Sequence, residues 1–126
     1  MIKYIQSLVL LLGLSTSSLY SQSVSLDSFQ GVQLLNVQDY AVIQVNASWN
    51  YDNRVKIEQL SSLCYIAEID IENKTIGDTI AKEWNIKIVP TIIVLKRGEE
   101  IKRFEPNISM KFNEKTIIEK IRKEVK

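Results

Sequence analysis

The chain has no histidine, a single cysteine and only two prolines in 126 residues. Without histidine, the usual general base near neutral pH and the commonest zinc ligand are missing. A Ser-His-Asp triad is excluded on the same ground. The lone thiol, Cys64, cannot close an internal disulfide, so the hydrophobic core must carry stability. The four glycines are isolated, and none belongs to a phosphate-cradling loop. Asp39, Asp52, Asp70 and Asp78 fall on separate segments, without calcium-loop spacing. Neither sign of charge prevails, with 16 Lys and Arg against 15 Asp and Glu. That balance gives no footprint for nucleic acid and no polybasic cluster for an anionic membrane surface. No metal site and no cofactor site is read from the residues.

The longest apolar run lies at the start. Met1-Ile2-Lys3 forms a short basic stretch, and Leu8 to Leu14 forms a compact apolar one. Small polar residues follow, from Ser15 to Ser18 and at Ser21. This layout predicts a secretory signal over 1–21, cut near Ser21 and Gln22. The run is too short for a membrane-spanning helix, which needs about 20 apolar residues. An amphipathic or buried N-terminal helix is the alternative. With cleavage, no membrane anchor would remain, and 22–126 would form one exported domain. The abundance of lysine, isoleucine and asparagine suits a bacterial chain, so export would mean the periplasm or the exterior.

Residues 22–39 are weakly patterned and fit either an edge strand or a short helix. From Tyr40 to Ala47, Ala41, Ile43, Val45 and Ala47 alternate with Val42, Gln44 and Asn46, which predicts an inner strand. Ser48 to Asn53 is rich in capping residues. Asn50 or Asp52 could cap a helix running to about Leu63, with Val55, Leu60 and Leu63 inward. A strand from Tyr65 to Ile71 follows. Ile76, Ile80 and Trp84 then recur every fourth residue, as in a short amphipathic helix. Gly77 weakens that helix by about 1 kcal/mol, and Asn85 suits its end. Thr91 to Lys96 and Glu99 to Phe104 read as a hairpin turning at Arg97-Gly98. Asn113 can cap a last helix that buries Ile117, Ile118, Ile121 and Val125. The expectation is an α/β chain: a central mixed sheet with helices on both faces.

Two segments carry a resemblance. The stretch Val42 to Asn53 contains Trp49-Asn50-Tyr51-Asp52-Asn53 after a strand, and Val89-Pro90-Thr91 opens a later apolar strand. With the element order over 40–125, this is similar to the thioredoxin-like family. That family places Trp-Cys-x-x-Cys after such a strand. Here Asn50 and Asn53 stand at the two cysteine positions. The resemblance implies that Gln44 replaces an acid of the family and that Glu68 replaces a lysine. It further implies that Pro90 is cis, and that Trp49, Tyr51, Val89, Pro90 and the loop around Pro106 make a groove for an extended peptide.

Thiol exchange needs a thiolate and a second thiol to resolve the mixed disulfide. Amides supply neither. The reading is therefore a protein- or peptide-binding module that is not a dithiol-disulfide oxidoreductase. Its groove candidates are Trp49, Asn50, Tyr51, Asn53, Val89, Pro90 and Thr91. Plain helix capping by Asn50, Asp52 and Asn53 stays open beside it. So do a single-thiol redox protein acting through Cys64 and a structural subunit of a complex. Leu63-Cys64-Tyr65 is apolar, as suits a buried, inert cysteine. Three sequons, at Asn46, Asn73 and Asn107, are short enough to arise by chance.

Overall fold

The computed structural model describes residues 23–126. The expected signal segment lies outside them. The described chain forms one five-stranded mixed sheet. Its strands are β1 (Val24–Ser25), β2 (Tyr40–Asn46), β3 (Tyr65–Asp70), β4 (Thr91–Lys96) and β5 (Glu99–Phe104). Their order across the sheet is β1-β3-β2-β4-β5. β1 and β2 both pair parallel with β3, while β4 runs antiparallel to β2 and β5 antiparallel to β4. The α-helices are α1 (Phe29–Gln33), α2 (Gly77–Glu83) and α3 (Glu114–Glu124).

Alternation along β2 and β3 builds two cores. Ala41, Ile43, Val45, Ala67 and Ile69 pack against Leu35, against Ile76 just before α2 and against Ile80 within it. On the opposite face, Val42, Ile66, Ile92 and Val94 pack against Val55, Ile57 and Leu60 and against Ile117, Ile118 and Ile121 of α3. Helical elements thus cover both faces. The 22–39 stretch resolves its ambiguity by doing both: a two-residue edge strand, then α1 and a 3-10 turn over Leu34–Val37. The Ser28 side chain caps α1 through the Gly31 N–H at 3.1 Å.

The hairpin turns on two left-handed residues, Arg97 at φ 49° and Gly98 at φ 84°, the geometry of a tight two-residue connection. A register shift between Val94 and Leu95 leaves Ile101 exposed. Asn113 caps α3 by accepting from Thr116 N at 3.2 Å.

One expected element is absent. No α-helix runs from Asn50 to Leu63. The chain makes two 3-10 turns instead, Ser48–Asn53 and Ile57–Leu60. Val55 and Leu60 point inward as expected, whereas Leu63 is 47% exposed. The cause is a side chain on β2. Gln44 Oε1 accepts from Val55 N at 2.8 Å, and Gln44 Nε2 donates to Val55 O at 2.7 Å. Both main-chain groups that an α-helix would need at Val55 are committed elsewhere.

Candidate functional site

The pairing of Val45 with Thr91 sets Pro90 beside the end of β2. There the chain leaves the sheet through the Ser48–Asn53 turn. The Val89–Pro90 peptide bond is cis. Between these pieces lies a cleft of about 190 Å³. Trp49, 59% exposed, stands on one side of it. Ile86, Ile88 and Val89, from the segment that leads into β4, line it together with Ile71 and Met110, and Lys87 is its sole charged residue. The Val89 side chain is buried. Its main chain has no hydrogen-bond partner among the described residues. Main-chain polar groups rarely stay unpaired away from water, and at a residue only 4% exposed these groups are open to pairing with an added strand.

Beneath Trp49 the turn is held from inside. Asn50 is fully buried. Its Oδ1 accepts from Ala47 N at 2.6 Å, and its Nδ2 donates to Asn46 Oδ1 at 3.0 Å. Asn50 therefore does not cap a following helix through its free N–H groups, as the sequence suggested. It reaches back to the residue before the turn. Asn46 Nδ2 donates to Glu68 Oε1 at 3.1 Å, and Arg54 Nη1 reaches the same oxygen at 3.4 Å. Ser23 Oγ donates to Glu68 Oε2 at 2.8 Å. A chain of amides and one ion pair thus links Asn50 to Arg54. Partial burial works against the Arg54 charge. Its hydrogen bond to Glu58 and the charges of Glu68 and Glu58 outweigh that, so its pKa rises.

The structure brings together only part of the expected groove. Trp49 and Val89 line the cleft. Pro90 and Thr91 are buried behind it, and the Thr91 hydroxyl donates to Ile88 O at 2.5 Å. Asn50 supports the turn from below and does not line the cleft. Tyr51, 55% exposed, lines a different cavity together with Asn46, Glu68 and Asp70. Asn53 is exposed at the end of the turn. In place of Pro106, the last loop contributes Met110, whose φ of 58° lies in the left-handed region. Ile71, Ile86 and Met110 were not anticipated, because only the tertiary arrangement joins them.

Cys64 lies at the opposite end of the sheet, just before β3. A six-residue strand, about 20 Å at roughly 3.3 Å per residue, separates it from the cleft. Its Sγ is 3.6 Å from Leu60 O. Burial pushes the thiol up to about 11. The sequon at Asn46 falls on a buried strand residue.

No protein-family model and no curated protein matches the sequence. Solved structures do match the fold. A thioredoxin from Trypanosoma brucei brucei superposes with a TM-score of 0.66 at 18% identity, covering 84% of this chain and 93% of its own. A point-mutant thioredoxin from Halobacterium salinarum gives 0.65 at 14% identity over 84% and 93%. Fasciola hepatica thioredoxin gives 0.63 at 21% identity over 79% and 97%. At these identities the likeness establishes architecture, and with the strand order above it makes this chain a thioredoxin-fold protein.

Proposed function

We propose that the protein is an exported binding module that holds an extended polypeptide segment at the Trp49–Val89 cleft and carries out no dithiol-disulfide exchange. The observation that carries this reading is the unpaired Val89 main chain beside an apolar cleft. An extended peptide could add there by main-chain hydrogen bonds, with one side chain entering the cleft. A dry cavity of about 150 Å³ accepts benzene. The 190 Å³ here therefore suits one aromatic or branched aliphatic side chain. Lys87 is the only charged residue on its wall, which favours an acidic neighbour in the bound segment. Export rests on the N-terminal layout. The lack of exchange chemistry rests on Asn50 and Asn53, since a thiolate is the required nucleophile.

The test uses a reduced and carboxymethylated lactalbumin as an unfolded probe, followed by fluorescence anisotropy. Trp49→Ala should weaken binding at least about tenfold, with little change in stability because the ring is largely exposed. Equal binding by variant and parent would remove the cleft from the account. Insulin reduction with dithiothreitol as donor should run at the rate of buffer alone. Catalysis there would overturn the redox part.

The single-thiol reading is disfavoured by the Cys64 environment. A thiol moved from 9.0 to about 11 by burial holds roughly a hundredfold less thiolate at neutral pH. Thiol labelling at pH 7 should be correspondingly slow in the folded chain and fast in denaturant. Rapid labelling of the folded chain would revive that reading.

A further inference from the structure

The loop after β5 carries the most exposed large apolar side chain among the described residues: Ile108 is 98% exposed. A bonded turn holds it there. Met110 N donates to Asn107 O at 2.9 Å. Asn107 Oδ1 accepts from Ser109 N at 3.1 Å, Ser109 Oγ at 2.8 Å and Lys111 N at 3.3 Å. A tip so held can be bound at little further cost in ordering. Met110, two residues on, lines the Trp49–Val89 cleft. Two residues span at most about 7 Å. A protruding aliphatic side chain and an apolar cleft therefore share one surface, and Ile108 does not fill the cleft of its own chain.

We propose that a second copy of this chain occupies the cleft when no peptide is bound, each copy seating Ile108 in the cleft of the other about a two-fold axis. The proposal rests on the cleft reading above and names its partner. A two-fold contact requires one patch to carry both halves of the fit, and this patch carries both. The cleft of about 190 Å³ suits one branched aliphatic side chain, which isoleucine supplies. The charges agree as well. Lys87 is the only charged residue lining the cleft, and Glu105 lies three residues before Ile108. Both are exposed, and neither makes an ion pair among the described residues. Exchange of the turns brings the carboxylate of each copy toward the free ammonium of the other. It also covers Trp49, which is 59% exposed in the single chain. One turn in one cleft, made twice, is a small interface beside the standard of about 1,600 Å², so the dimer is weak.

The test is sedimentation velocity of the full chain, which should show monomer–dimer exchange between about 10 µM and about 1 mM. Ile108→Ser changes a side chain in open solvent, so folding should hold while dimer affinity falls at least about tenfold. Lys87→Glu should also weaken the dimer, and Lys87→Glu combined with Glu105→Lys should restore it. A monomer throughout, parental association in Ile108→Ser, or no recovery in the charge-swapped pair would overturn the proposal. Association through the apolar run at 8–14 would appear as the second of these outcomes, since that run is unchanged in the variant. Ile108→Ser leaves the cleft intact and should bind the carboxymethylated lactalbumin at least as well as the parent. The two readings therefore fail separately. A chain that binds lactalbumin but stays monomeric loses the dimer alone, and a chain that dimerises through Ile108 but ignores lactalbumin loses the peptide reading alone.

Discussion

The chain leaves β2 and β3 by two connections of different character. After β3 it turns at Asn73 and enters α2, seven residues long. After β2 it makes a 3-10 turn at Ser48–Asn53, runs extended past Arg54, and makes a second 3-10 turn at Ile57–Leu60. Both connections bury apolar residues against the same sheet, on opposite faces. They differ in who claims the main chain. Around α2 the bonds are local: Gly77 N to Asn73 O, Ile80 N to Ile76 O and Trp84 N to Ile80 O, all at 2.9 Å. Asn85 at φ 53° and the Ile86 N to Ala81 O bond close the helix, as a left-handed cap does. After β2 the local main-chain bonds are short-range turns, such as Asn50 N to Ala47 O and Arg54 N to Tyr51 O at 3.2 Å, and side chains take groups that a helix would use. Asn50 takes Ala47 N, and Gln44 takes both groups of Val55. A helix forms where its own carbonyls meet no competitor.

The comparison breaks most directly at Gln44. Gln44→Leu keeps the volume and removes the clamp, leaving Val55 N–H without a partner and Val55 C=O with the Ile57 N–H alone. An orphaned buried N–H costs about 1–3 kcal/mol and the lost bond to the carbonyl about 1 kcal/mol, so a loss of about 3 kcal/mol is expected in urea unfolding. A loss below about 1 kcal/mol would mean that the clamp does not hold the connection. Asn50→Ala comes next. It frees Ala47 N and one side of Asn46 and opens a small void, for about 3 kcal/mol by the same measurement.

On the helical connection, Gly77→Ala sharpens the contrast through its sign. In an ordinary helix this change stabilises by up to about 1 kcal/mol. Here an added Cβ would sit 2.2 Å from the carbonyl oxygen of Ile71. Backbone must shift, so thermal unfolding should show a loss of about 2 kcal/mol. A gain would mean that the Ile71 loop yields freely.

These sites also mark what the sequence made legible. The four longer strands, α2 and α3 follow from alternation and from the Ile76-Ile80-Trp84 and Ile117-Ile121 spacing, all local patterns. The cis Val89–Pro90 bond followed from the resemblance. The 3-10 connection did not follow, because its cause is a contact 11 residues apart in sequence. The available signal was Gln44 itself. An amide in the middle of an apolar inner strand must be bonded to something when buried, and the sequence alone does not name the partner. Gly77 was read as a weakness of α2, whereas the Ile71 carbonyl requires it. Most of the cleft escaped for the same reason: Ile71, Ile86, Lys87, Ile88 and Met110 join Trp49 and Val89 only once the loops are folded.

The smallest effect tests whether α2 depends on local bonding alone. Asn73 Oδ1 accepts from Thr75 N at 2.9 Å and Ile76 N at 3.1 Å, and its carbonyl accepts from Gly77 N. It thus acts as a cap one turn ahead of α2. Asn73→Ala removes the side-chain acceptor and should cost about 1 kcal/mol. Asn73→Asp retains it and adds a negative charge near the helix start, which the macrodipole favours. The aspartate variant should therefore match or exceed the parent in thermal unfolding while the alanine variant falls below it. Equal losses in both would show that the asparagine amide group, and not its oxygen, holds this turn, and the two connections would then share a dependence on side-chain amides.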